Sequence, residues 1–412
     1  MLRFLAFLVI PALALAQNLS PLESTPDWSE LDAFNEVMTR PEFVRMLDGQ
    51  YAPRGAARGL VEIGDDSVRI VEALGQPARR SVRFASETSA MKKAPRFWRT
   101  RAELGAPPPG KPLSGLRIAL DPGHLGGGYA RMEGRWFRIG ETTPVCEGDL
   151  SLQVAQHLAP RLTALGAEIL WVRAAPGPVT PLRPADFFPL ARNLLAAQGH
   201  ARPRETYSGF DDAGRGSTVQ FQAEHLFFRQ SEIRYRARLV NNELKPDLVL
   251  CLHFNADAWG RDNAPDLARG QHFHVLVNGC ASAGEMRLDD QRHEIVLRLL
   301  SGVAAEEARV STHVARVFAR SAALPPYVYS RAASAVQVNA SPYVWARNLL
   351  ANRLYRCPVV FLEPYVMNSR ETWERVQAGD YDGERVIAGT PRPSLLREYA
   401  DAVTMGFVEA MR

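Results

Sequence analysis

Four cysteines are all that this 412-residue chain contains: Cys146, Cys251, Cys280 and Cys357, widely spaced and without a CxxC pair. That spacing argues against a cysteine-built zinc site. Cys251 and Cys357 lie in or beside apolar, strand-like runs, which predicts buried free thiols. Dense Lys/Arg blocks are also missing. The formal charge of +4 is a mild excess spread along the chain, so nucleic acid is not expected as a partner. No internal repeat is evident. Hydrophobic residues make up 46% and charged residues 23%, so a sizeable core is expected and disorder is not the default.

The first residues carry the one export signal. Arg3 gives a positive start, Phe4 to Leu15 is apolar, and Ala14-Leu15-Ala16 is a small-residue cleavage pattern. This reads as a secretory signal peptide over residues 1–16. The run is too short for a membrane-spanning helix, which needs about 20 apolar residues. No later segment is apolar enough to span a membrane, and no cysteine follows the cut to carry a lipid. The expected location is the periplasm or outside the cell.

Residues 17–104 form a first region, with a helical pattern around Trp28 to Met46 and short β-like runs at Gly59 to Ile63 and Ser67 to Val71. The Gly- and Pro-rich stretch 105–112 reads as a linker. From residue 113 to 412 apolar strands alternate with helices. Strands are expected at Leu116–Leu120, Ala167–Val172, Leu248–Leu252, Phe273–Val277 and Val359–Leu362. A helix capped by Asp149 should follow, kinked or shortened by Pro160. Another is marked by Ile233, Ala237, Val240 and Leu244, and a last one follows Ser394. The expected fold class is α/β, a mostly parallel or mixed sheet with helices on both faces, plus a small N-terminal α+β region. Two stretches, near 181–230 and 281–343, interrupt the pattern as insertions. The first carries Phe187, Phe188, Phe221, Phe227 and Phe228 as apolar anchors, and reads as a lid or substrate wall.

In such sheets ligands bind beyond the carboxyl ends of the strands. His124 follows the first strand in Asp121-Pro-Gly-His-Leu-Gly-Gly-Gly128, His253 follows Leu252, and Glu363 follows Leu362. Two imidazoles at equivalent strand ends, with a glutamate between them in the sequence, suit a zinc site with one open position. His272 and His274 alternate on a strand and share a face, either as a structural pair or near substrate or a second metal. Asn255 and Asn368 are candidates for orienting the site, and Arg173 and Arg238 for tying helices to the sheet.

Four motifs together resemble the zinc-dependent N-acetylmuramoyl-L-alanine amidases of the amidase-3 type. They are Ile118-Ala-Leu-Asp-Pro-Gly-His124, Glu147-Gly-Asp-Leu150, Arg238 to Asn242 leading to His253-Phe-Asn-Ala256, and Pro358-Val-Val-Phe-Leu-Glu363 with Asn368. The resemblance implies Zn2+ held by His124, Glu147 and His253, with Glu363 as the acid/base. It implies cleavage of the amide between N-acetylmuramic acid and L-alanine in peptidoglycan or muropeptides. The gap from His124 to Glu147 is longer than in that family, so Glu133 and Glu141 compete as ligand. Glu147 is preferred because Asp149, Leu150 and a helix follow it directly. The alternatives are a catalytically silent wall-binding or regulatory protein, and a zinc hydrolase of another amide or peptide bond.

Overall fold

The computed structural model describes residues 18–262, 264–330 and 334–411, so the signal-peptide stretch lies outside the described residues. The chain begins with a 3-10 turn, Trp28–Phe34, and helix α1, Arg40–Met46. The expected single helical stretch is therefore split. Strands β1 (Val61–Ile63), β2 (Ser67–Val71) and β3 (Arg79–Arg83) then form a small antiparallel sheet.

The main sheet has seven strands. In chain order they are β4 (Arg117–Pro122), β5 (Glu168–Trp171), β6 (Leu248–Leu252), β7 (Phe273–Asn278), β8 (Val336–Gln337), β9 (Val344–Arg347) and β10 (Val359–Pro364). The spatial order is β8-β9-β7-β10-β6-β4-β5. Strands β5, β4, β6 and β10 run parallel, whereas β7 opposes β10. The sheet is mixed, in agreement with the sequence pattern. The reversal at β7 matters for the site. It sets His274 directly opposite Glu363, so the start of one strand joins the carboxyl ends of the others.

Alternation within each strand explains why both faces are covered. Ile118, Leu120, Leu248, Leu250, Leu252, Val360 and Leu362 point into one apolar layer. That layer is closed by helices α2 (Glu147–Ala164), α7 (Val303–Ala322) and α8 (Leu395–Ala410). Ala119, Val249, Cys251, Val359 and Phe361 point the other way, toward Ala237, Val240 and Trp98. Helix α5 (Glu232–Arg238) supplies Ala237. All four cysteines are buried and no disulfide joins them.

Two local expectations differ from the structure. Helix α2 begins at Glu147, one residue after Cys146, and Asp149 sits in its first turn instead of capping it. Asp149 accepts the Gly127 N–H at 3.0 Å, and so binds the helix to the preceding loop. The helix also continues past Pro160. Pro160 and Gln156, whose carbonyl loses its donor, are both exposed, so water can satisfy that carbonyl.

The two insertions have different fates. Within 181–230, α3 (Phe188–Ala197) and α4 (Val219–His225) build a separate apolar cluster. Phe187, Phe227 and Phe228 in that cluster are buried against Leu125 of the first loop. The later insertion splits between two cores. Helix α6 (Asp289–Leu300) packs Ile295, Val296, Leu299 and Leu300 against Trp28, Phe43, Val68 and Ile70. Its buried Arg292 donates to the Val71 carbonyl at 2.8 Å. Helix α7, next in the chain, lies under the main sheet. The N-terminal region thus completes its core with residues from far along the sequence. Among the described residues no helix is long and apolar enough to cross a membrane.

Candidate metal centre

The loop after β4 is gripped by two buried arginines. Arg236 donates to the Asp121 carboxylate at 2.9 Å and the Pro122 carbonyl at 3.0 Å, and it pairs with Glu232 at 2.8 Å. Arg173 donates to the carbonyls of Pro122, Gly123 and Gly148 at 3.0, 3.2 and 2.8 Å. Tyr355 adds its hydroxyl to Asp121 from the other side. These bonds hold His124 in a left-handed backbone conformation, φ 56°, which a non-glycine residue seldom adopts. Arg173 therefore ties helix to sheet as expected. Arg238 does not, because it is exposed; the buried member of that helix is Arg236, one turn after Glu232. Gly123 is required by space: a Cβ there would lie 2.1 Å from the His253 ring.

His124, Glu147 and His253 come together, each offering a ligand atom within 4.8 Å of the others. His124 Nε2 is 3.4 Å from Glu147 Oε2, and His253 Nδ1 is 3.1 Å from Glu147 Oε1. Glu147 is 1% exposed, at the first residue of α2. Burial alone would raise its pKa, but His124, His253 and Arg135 outweigh that and hold the carboxyl well below the usual range. Glu141 is exposed and takes no part in the cluster. Glu133 stands one layer out, with Oε2 2.8 Å from His124 Nδ1. His253 is stacked on Phe361, ring centroids 4.2 Å apart, and Tyr399 donates to its carbonyl at 3.2 Å.

This donor set suits a divalent cation. With Glu133 accepting the Nδ1 proton of His124, release of the Nε2 proton leaves that nitrogen's lone pair facing the Glu147 carboxylate. Two lone-pair donors facing each other across 3.4 Å are stabilised by a cation between them. One carboxylate and two imidazoles, with a cleft open beside them, match zinc chemistry. Among the described residues no other group of three or more His, Cys, Asp or Glu side chains converges in this way.

Glu363, next to last in β10, lines the same cleft, with His124, Glu147, Asn255, His274, Tyr327, Tyr329 and Arg347 around it. Burial, and then the charge of Glu147, push its pKa up to about 8. His274 is 4% exposed and held between Asn255 Nδ2 at 3.3 Å and the Tyr329 hydroxyl at 3.5 Å. Burial lowers its pKa to about 3, so the ring is neutral. His272 sits against Tyr327, outside the metal cluster. Asn368 braces the loop after His253 by accepting the Asp257 N–H at 2.9 Å, and it makes no contact with the centre.

Several cleft residues carried no sequence signal. Arg135 reaches Glu147 at 3.4 Å from a loop whose sequence suggests nothing. Tyr327, Tyr329 and Arg347 come from the second insertion and the strand after it. Phe228, Arg229 and Gln230, at the end of the first insertion, line an adjoining cleft that also contains His124, His253 and Glu363.

No family model matches this chain, and no curated protein does. Solved structures do match. They include N-acetylmuramyl-L-alanine amidases. Ami1 of Mycobacterium smegmatis is 17% identical with a TM-score of 0.38, over 73% of this chain and 98% of that one. AmiC2 of Nostoc punctiforme is 15% identical with a TM-score of 0.32, over 71% and 96%. CwlD of Clostridioides difficile, solved in complex with the GerS lipoprotein, is 10% identical with a TM-score of 0.37, over 71% and 95%.

Proposed function

We propose that this chain is an exported, zinc-dependent N-acetylmuramoyl-L-alanine amidase that acts on peptidoglycan in the periplasm or outside the cell. The observation that carries this reading is the convergence of His124, Glu147 and His253 within 4.8 Å beside Glu363 in one cleft. The four motifs that resemble the amidase-3 type supply the substrate class. His124, Glu147 and His253 would hold the metal. When bound, zinc supplies Lewis acidity for a carbonyl and for water. Glu363, held ionised by the positive charge that a bound cation would add against the effects of burial and Glu147, accepts a proton from the attacking water and delivers it to the departing L-alanine nitrogen. The lactyl C–N bond breaks, leaving a carboxylate on the sugar and a free amine on the peptide. Glu133 orients His124, and Arg135 keeps Glu147 ionised. On this reading residues 113–412 form the catalytic unit, and the N-terminal region supports it through α6.

The test is mass spectrometry of purified peptidoglycan after incubation with the zinc-loaded protein. Release of stem peptides with a free L-alanine amino terminus is the expected result. Intact muropeptides, or peptides cut at another bond, would overturn the assignment.

A further inference from the structure

Two arginines, Arg135 and Arg347, line both the cavity beside Glu363 and the adjoining cleft that contains His253. They are not equivalent. Arg135 faces Glu147 at 3.4 Å. Arg347, the last residue of β9, has no carboxylate within 4 Å among the described residues. Its guanidinium lies 5.7 Å from the Tyr329 ring centroid. Tyr329 is itself fixed, packed edge-on against Tyr327 at 4.8 Å and tilted against Trp345 at 5.1 Å. A guanidinium forks onto a carboxylate through two parallel N–H bonds, and aromatic support orients it in advance. Arg347 is thus a pre-positioned, half-buried cation in the lining of the reaction cleft, held by Tyr329 and close to Glu363 but in no salt bridge with a carboxylate among the described residues.

We propose that Arg347 forms a carboxylate-binding subsite beside Glu363, selecting peptides that carry a free carboxylate close to the scissile amide. This rests on the amidase reading, and it names the substrate class more closely. The preferred stem is one in which the residue after L-alanine keeps its α-carboxylate and is not amidated. A single monoanion matches a single guanidinium. A phosphate dianion would place a second negative charge near Glu147 and Glu363, the two carboxylates of the same cavity. The neutral His274 ring and the two tyrosines complete a wall that accepts a peptide backbone without adding charge.

The test uses two synthetic substrates, N-acetylmuramoyl-L-alanyl-D-glutamate with its γ-carboxyl capped as the methylamide and the α-carboxamide of that compound, with zinc-loaded wild type, Arg347→Gln and Arg347→Lys. Each variant's melting temperature shows whether it is folded. Wild type should favour the carboxylate in kcat/KM by about 10- to 100-fold, the scale of one charge-assisted hydrogen-bond pair. The preference should collapse toward one in Arg347→Gln, mainly through KM, and be partly retained in Arg347→Lys. Equal use of both substrates by wild type, or an undiminished preference in folded Arg347→Gln, would overturn the subsite. Calorimetric binding of both peptides to Glu363→Gln protein reads the same ratio without turnover. If neither peptide is cleaved, the amidase reading fails. The subsite then stands on a carboxylate preference in binding that Arg347→Gln removes, and it falls if the peptides bind equally.

Discussion

Glu133 holds the far nitrogen of His124: its Oε2 lies 2.8 Å from Nδ1 and also accepts the Leu125 N–H at 3.2 Å. One carboxylate therefore sets both the tautomer of the ring and the path of the loop that carries it. Glu133→Gln should weaken zinc binding by roughly 10- to 100-fold, the usual scale for such partners. Competition against a chelator of known affinity measures this. Unchanged affinity would mean that Glu133 serves only the loop.

Ligand identity separates Glu147 from Glu141 sharply. Glu147→Ala and His253→Ala should each lose stoichiometric zinc by elemental analysis, and activity with it. Glu141 is exposed and remote from the cluster. Glu141→Ala should keep both. Full zinc in purified Glu147→Ala would remove that residue from the ligand set.

Glu363→Gln keeps the shape of the side chain and cannot accept a proton. Zinc content should be retained while turnover falls by about 10²–10⁴-fold. The metal-free protein offers a second readout. Glu363 is raised from an ordinary 4.5 to about 8, so between those values the folded state keeps a proton that the unfolded chain has released. The resulting stability is fully present below the unfolded value and is lost as pH rises through about 8. Melting temperatures of metal-free wild type and Glu363→Gln should be close at pH 5 and diverge by pH 8.5, with the variant the more stable. Parallel curves would place Glu363 in a wetter setting than the cleft provides.

The middle of the first insertion touches the site's surroundings through Phe210, whose ring is 4.8 Å from the Arg131 guanidinium, while Arg131 also lies 4.4 Å from the Trp136 ring. Replacing Ala201–Ser217 with a short Gly/Ser link should leave zinc content and the melting temperature of the core nearly unchanged. Activity on whole sacculi relative to small muropeptides should shift. Identical kinetics on both substrates would reduce the segment to decoration.

What the sequence revealed follows the range of the interactions involved. Short, wholly apolar runs such as Leu248–Leu252, and polar residues just past their ends, are local patterns, so the sheet and the His124–His253–Glu363 arrangement could be read directly. Choosing Arg238 over Arg236 was an error of helical phase; the Glu232–Arg236 spacing of one turn marks the buried side. The pairing of Glu133 with His124 depends on how an irregular loop folds back, and no spacing rule reports that. Tyr329 and Arg347 were hidden for a different reason: the second insertion leaves β7 at the end of the sheet away from Glu363 and returns through α7, after which the Tyr327 N–H meets the Phe273 carbonyl at 3.0 Å.

The shared core of the N-terminal region and α6 also dictates an order of events. Ser20 meets Asp290 and Val71 meets Arg292 across sequence separations of 270 and 221 residues. Closing loops of that length is slow, and contacts so distant in sequence form late. As the chain emerges from the ribosome, Trp28, Phe43 and Ile70 can pack only against near neighbours such as Phe84 until more than two hundred further residues have been made. This N-terminal region is therefore among the last parts of the described chain to be sealed. Through that interval it is the part of the molecule most exposed to chaperones, proteases and its own copies.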